Sequence, residues 1–175
     1  SRLLGKIGKI LYCVDEKSAE QNYFWNYVQK DDKIKYIHGL NNILTKVPDD
    51  SIDYLFSYDM FKFIPYDDVK SIIISLYKKC KCGSSLLISY ADIYKFIDTE
   101  PHRTKNFEKE FNIFNDIEKL KKIMEDDYNG KKRRGRWYWI GIQKMIELFE
   151  LCGFTVIERD LNIDKTNPLT LFTKK

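Results

Sequence analysis

Between Ile10 and Tyr90 the chain alternates short apolar runs of strand length with stretches of helical period, and this rhythm leaves few architectures open. Strands are predicted over 10–14, 33–37, 52–57 and 85–89. Ser18 is placed to cap a helix over 18–29 whose buried face would carry Phe24, Tyr27 and Val28. A second helix is predicted from Asp67 or Asp68 to about Cys82-Gly83, with Val69, Ile72, Ile73, Leu76 and Tyr77 as its inner stripe. The turn at 48–51 separates the second strand from the third. Strands and helices in this order imply a sheet covered on its faces by helices, with the continuous apolar run 85–89 in its interior.

The rhythm breaks between about 91 and 136, where charged sequence sprinkled with aromatics suggests only short helices near 107–111 and 117–126. Such a long interruption after a strand's carboxyl end reads as a lid or binding segment. Regularity returns with a helix over 142–152 closed by Gly153, then strands over 154–158 and 169–173. These last two are expected to form an antiparallel hairpin at a sheet edge, with 162–168 as its loop. One domain over 1–175 is expected, carrying the inserted segment within it.

Composition narrows the class. The 30 Lys and Arg exceed the 26 Asp and Glu by only four, so any attraction for anions must come from local clusters. Cys13, Cys80, Cys82 and Cys152 follow no metal or disulfide spacing and read as reduced structural thiols, with no metal expected. No run of 18 apolar residues occurs, and a soluble cytoplasmic protein without a membrane partner is the expectation.

The first strand ends in paired carboxylates, Asp15 and Glu16. In open parallel sheets ligands lie beyond the carboxyl ends of the strands, where an acid can accept hydrogen bonds from both hydroxyls of a ribose. Asp15 could equally cap the next helix. The densest charged feature is Lys131-Lys-Arg-Arg-Gly-Arg136, running into Trp137-Tyr-Trp139. Guanidinium forks and aromatic faces there suit a phosphate, an anionic sugar or a nucleic acid backbone, or else form a solvated loop before a core helix. Trp137 and Trp139 share a face if extended, leaving Tyr138 opposite.

Four segments in order resemble the class I S-adenosylmethionine-dependent methyltransferases: Gly8-Lys-Ile-Leu-Tyr-Cys-Val-Asp15, Val47-Pro-Asp-Asp-Ser-Ile-Asp-Tyr-Leu-Phe-Ser57, Leu76-Tyr-Lys-Lys-Cys-Lys-Cys-Gly83-Ser-Ser-Leu-Leu-Ile-Ser89 and Leu148-Phe-Glu-Leu-Cys-Gly153-Phe-Thr-Val. The resemblance implies an α/β fold: a three-layer Rossmann-like methyltransferase sheet, mostly parallel, with a C-terminal antiparallel hairpin and an inserted helical lid. It implies S-adenosylmethionine as cofactor, with Asp15 as the ribose-binding acid and Glu16 beside it. Asn41, with Asn42 next to it, would face the adenine, and Ser57, Tyr58 and Asp59 would fall where the family closes over the methionine portion and begins to meet substrate. The family's first strand and glycine-rich loop are not found before Gly5. The expectation is that the natural protein carries a further N-terminal stretch, the alternative being a degenerate, inactive domain.

Methyl transfer from a sulfonium is an in-line displacement, so positioning dominates and a base is needed chiefly for a hydroxyl acceptor. His38, His102, Asp59 and Asp92 are the candidate bases. Arg103, Arg133, Arg134, Arg136 and Tyr138 are the candidate acceptor-binding residues. The expected acceptor is a small anionic or phosphorylated molecule, such as a sugar or surface-glycan precursor, with oxygen favoured over nitrogen. RNA is the alternative acceptor, and a non-catalytic binding domain on the same framework is the alternative class.

Overall fold

The computed structural model describes residues 10–39, 43–99, 119, 122 and 137–175. Six strands and five α-helices are found among them: β1 (Leu11–Asp15), α1 (Phe24–Tyr27), β2 (Ile34–His38), α2 (Ile43–Lys46), β3 (Ile52–Ser57), α3 (Tyr66–Lys79), β4 (Cys80–Ser89), α4 (Ile93–Thr99), α5 (Ile142–Leu151), β5 (Phe154–Glu158) and β6 (Leu169–Lys174). A short 3₁₀ turn, Phe61–Phe63, follows β3.

The strands form two sheets where one was expected. β1 pairs in parallel with β2, while the second sheet runs β3-β4-β6-β5. Within it β3 and β4 are parallel, and β6 pairs antiparallel with both β4 and β5. The C-terminal hairpin is therefore present, with β5 at the edge. Among the described residues the pairing is evenly parallel and antiparallel rather than mostly parallel, and the far edges of β1 and β3 carry no strand. The two sheets nonetheless share a cluster in which Tyr12 and Val14 of β1 and Ile37 of β2 meet Ile52 and Leu55 of β3 and Ile72 and Leu76 of α3.

The main core lies on one face of the larger sheet. Val69 and Ile73 of α3 and Met145, Ile146, Leu148 and Phe149 of α5 bury against Leu86, Ile88, Phe154 and Phe172. Phe149 stacks on Phe172 with ring centroids 3.9 Å apart. Each such large apolar side chain contributes roughly 1.5–3 kcal/mol on burial. The opposite face departs from the three-layer expectation. Tyr54 is 79% exposed and Phe56 58%, so no described helix covers this side of β3.

Local chemistry explains where elements begin and end. Ser18 and Gln21 do exchange the reciprocal bonds of a capping box, Ser18 N–H to Gln21 Oε1 at 3.0 Å and Gln21 N–H to Ser18 Oγ at 3.2 Å. The helix they open breaks at Tyr23, whose φ of 55° is left-handed, so only Phe24–Tyr27 is α-helical and Tyr27 is exposed rather than buried. α3 ends at Lys79, earlier than Cys82-Gly83, because β4 already begins at Cys80. Lys174 Nζ then caps the junction, donating to the carbonyls of Tyr77 at 2.8 Å and Cys80 at 2.7 Å.

Candidate functional site

The carboxyl ends of the parallel strands bring together several of the residues expected to bind or react. β1 and β2 are in register so that Asp15 stands opposite His38, and Gly39 N–H donates to the Asp15 carbonyl at 2.7 Å. Asp15 also accepts the Lys17 N–H on Oδ1 at 2.8 Å. Asp15 thus closes a turn rather than capping the next helix, which Ser18 opens, and its Oδ2 has no hydrogen-bond partner among the described residues. His38 is exposed beside Asp15, and its ring contributes to the lowering of the Glu20 carboxyl, which is chiefly due to hydrogen bonds with the backbone and Ser18. Glu16 is exposed on the turn that follows.

At the end of β3, Ser57 is buried and its Oγ has no hydrogen-bond partner among the described residues. A buried hydroxyl without a partner is costly, which marks this strand end as a place where a polar ligand atom would be favourable. Tyr58 is half exposed, stacks on Phe56 and donates its hydroxyl to Asp164 at 2.6 Å. That hydrogen bond pushes the Tyr58 phenol up to about 12. Burial pulls the Asp164 carboxyl upward, but the bonds from Tyr58, Thr166 and Asn167 outweigh it and bring it to about 2.

Asp59 has a left-handed backbone, φ 63°, and its N–H donates to Ser89 Oγ, at the end of β4, at 3.2 Å. Its carboxylate lies 2.7 Å from Lys62 Nζ. Lys62 in turn lies 4.4 Å from the centre of the Trp137 ring, and its carbonyl accepts the Tyr138 N–H at 2.7 Å. Trp137 and Trp139 share a face as expected, both packing on Phe96 with their own centroids 5.3 Å apart. Tyr138 is half-buried and anchored by its backbone to the turn after β3.

Asp92 does not fit the role of a base. Its Oδ1 accepts the Lys95 N–H at 2.8 Å and its Oδ2 the Ile142 N–H at 2.9 Å, so one buried carboxylate caps the first turns of both α4 and α5. Both oxygens are committed to helix ends. Asn41, Asn42, His102, Arg103, Arg133, Arg134 and Arg136 lie outside the described residues. Sequence reasoning passed over Lys62, which reads as one polar position between two phenylalanines, and Asp164, read only as hairpin loop. The hairpin loop also carries Asp160, which is paired with Lys95 of α4.

Among the described residues no group of three His, Cys, Asp or Glu is placed to hold a metal ion, and no helix is long and apolar enough to cross a membrane. No protein-family model matches the chain, and no curated protein matches it by sequence. In fold it is similar to the PH0226 protein of Pyrococcus horikoshii OT3, with a TM-score of 0.65 at 15% identity over 99% of this chain and 76% of that one. It is also similar to magnesium protoporphyrin IX methyltransferase of Synechocystis PCC 6803 with bound SAH, with a TM-score of 0.56 at 14% identity over 99% and 68%. The fold is that of the class I methyltransferases. A third structure, LepI in complex with SAM, gives a TM-score of 0.57 at 12% identity, over 99% of this chain and 39% of that one. At these identities the methyltransferase fold is shared while the site residues are this chain's own, so function has to be argued from the strand ends.

Proposed function

We propose that the chain is an S-adenosylmethionine-dependent methyltransferase, with the cofactor lying across the carboxyl ends of β1 and β3. The observation that carries this reading is the pair of strand ends themselves: Asp15, with one carboxylate oxygen available, closes β1, and Ser57, with a buried hydroxyl lacking a partner, closes β3. Ligands of open α/β sheets bind at such ends. Two similar folds carry SAH or SAM, which agrees with the donor set. Asp15 would hold the ribose, with Glu16 beside it, Asn41 or Asn42 would face the adenine, and Ser57 would meet the methionine portion. Tyr58, whose hydroxyl is engaged by Asp164, would contribute its ring rather than its oxygen. When bound, the sulfonium supplies the methyl group.

The acceptor is a small, anionic or phosphorylated molecule, and oxygen is the favoured atom. The sequence run 131–136 would neutralise its charge, aided by Arg103, and Tyr138 would line its pocket. His38, Asp59 and His102 remain the candidate bases; Asp92 is assigned to helix capping. We place the activity in the cytoplasm.

A second reading is a non-catalytic binding domain on the same framework. It is consistent with the 12–15% identity of the similar folds, at which a shared fold does not carry function. Calorimetry with S-adenosylhomocysteine separates the two. Binding in the micromolar range supports the enzyme, and no heat at high micromolar ligand would sink it.

A further inference from the structure

Two energetically costly features meet at the turn after β3. Lys62 is only 5% exposed, although a lysine is almost never buried unless its ammonium is paired. Three residues earlier, Asp59 holds a left-handed backbone at φ 63°. Strain and a buried charge that persist together at a ligand-facing strand end point from structure to function. The compensation is specific. Lys62 Nζ lies 2.7 Å from Asp59 Oδ1, 4.4 Å from the Trp137 ring centre and 5.4 Å from that of Phe63. Asp59 Oδ1 is buried and has the Lys62 ammonium as its counter-ion in place of a well-angled hydrogen bond, while the side chain as a whole is 41% exposed.

We infer that Lys62 is a positioning residue for the acceptor side of the site. It fixes one oxygen of Asp59 so that Oδ2 faces outward, where it can accept a hydrogen bond from the O–H or N–H of an acceptor. Through its carbonyl and its ammonium it also clamps Tyr138 and Trp137 against the end of β3. Within the small anionic acceptors proposed above, this favours one that carries an O–H or N–H donor for Asp59 Oδ2. The inference rests on the reading that the acceptor approaches the end of β3.

The test compares Lys62→Met, Lys62→Arg and Asp59→Asn with the parent protein. Trp137 is followed by acrylamide quenching, taken as the difference from the same protein carrying Trp137→Phe. Amide exchange is followed at Tyr138, and S-adenosylhomocysteine affinity by calorimetry. Lys62→Met should raise Trp137 quenching about twofold and Tyr138 exchange about tenfold, with Asp59→Asn moving both in the same direction. Leu86 and Ile88 amides should keep parental protection, cofactor-product affinity should stay within about threefold, and Lys62→Arg should recover the Trp137 signal. Parental values in Lys62→Met, an equal loss of protection across β4, or an arginine variant no better than methionine would overturn the assignment. A parent protein that fails to bind S-adenosylhomocysteine counts against the cofactor reading and leaves the clamp to be judged on Trp137 and Tyr138.

Discussion

Asp92 Oδ2 accepts the backbone N–H of Ile142 at 2.9 Å, joining the start of α5 to the end of β4 from the far side of the inserted segment. The same carboxylate caps α4 through Lys95 N–H, and the Gly141 N–H donates to the neighbouring Ala91 carbonyl at 3.0 Å. Removing it leaves two helix starts without their acceptor in a buried place. Asp92→Ala should therefore cost about 2–4 kcal/mol, twice an ordinary cap, read from the urea midpoint at constant slope. Asp92→Asn, which keeps one acceptor oxygen, should lose about half of that. A variant that stayed fully stable while losing all methyl transfer would return Asp92 to the role of a base.

Gly153 closes α5 with φ 97°, and a Cβ built there would lie 2.7 Å from the Tyr77 ring. Tyr77 cannot simply move aside, because its ring meets Phe154 edge-on at 5.2 Å and lies 4.5 Å from Lys174 Nζ. Gly153→Ala should destabilise by about 1–3 kcal/mol in urea denaturation. Adding Tyr77→Leu should recover the steric part and leave the backbone part, so the double variant should lie between the parent and the single variant. An unchanged midpoint in Gly153→Ala would contradict the close approach.

These two sites show what a linear reading reaches. Gly153 was legible because a helical stripe that ends in Gly before an apolar run has one simple meaning. The stripe Val69, Ile73 and Leu76 was legible for the same reason, as its period alone selects the buried face. Gly83 misled, since it also has positive φ, 79°, yet lies inside β4, where strand pairing overrode the local helix-stop signal. The helix after Ser18 misled because the capping box is real but Tyr23 departs from helical geometry two residues past Gln21. Asp15 was legible as a strand-end acid. Its partner across the register, His38, was legible only as a residue following another strand. Tyr58 and Asp164 touch across a separation of 106 residues, and no local pattern encodes such a pair.

The Tyr58–Asp164 contact makes a pH prediction. The Asp164 carboxyl is lowered from 3.8 to about 2 in the folded protein, so its contribution to stability is present above about 3.8 and is lost as pH falls towards 2. The Tyr58 phenol is raised from 10 to about 12, so its contribution is present below 10 and is lost as pH rises from 10 to 12. Tyr58→Phe removes the hydroxyl common to both. The acid loss of stability should then shrink and be complete at higher pH, the alkaline loss should shrink as well, and the Asp164 titration followed by NMR should move up towards 3.8. An Asp164 titration that stays near 2 would assign its low value to Thr166 and Asn167 alone.

Asp15 carries the test closest to the proposed function. Its Oδ1 is held by Lys17 N–H, which fixes the side chain at the strand end and presents Oδ2 without a described partner. A carboxylate in that position gains about 1.5–3 kcal/mol from hydrogen bonds with a ribose hydroxyl pair. Asp15→Ala should therefore weaken S-adenosylhomocysteine binding about ten- to hundredfold. Asp15→Asn keeps an acceptor for Lys17 and should lose less affinity than alanine, which separates the turn from the ligand contact. Lys17 amide exchange reports the turn directly. If affinity is unchanged in Asp15→Ala while Lys17 exchange rises, the residue only holds the turn and the ribose must be held elsewhere. If affinity falls in both variants while Lys17 in the asparagine protein keeps its protection, Oδ2 is the ligand atom.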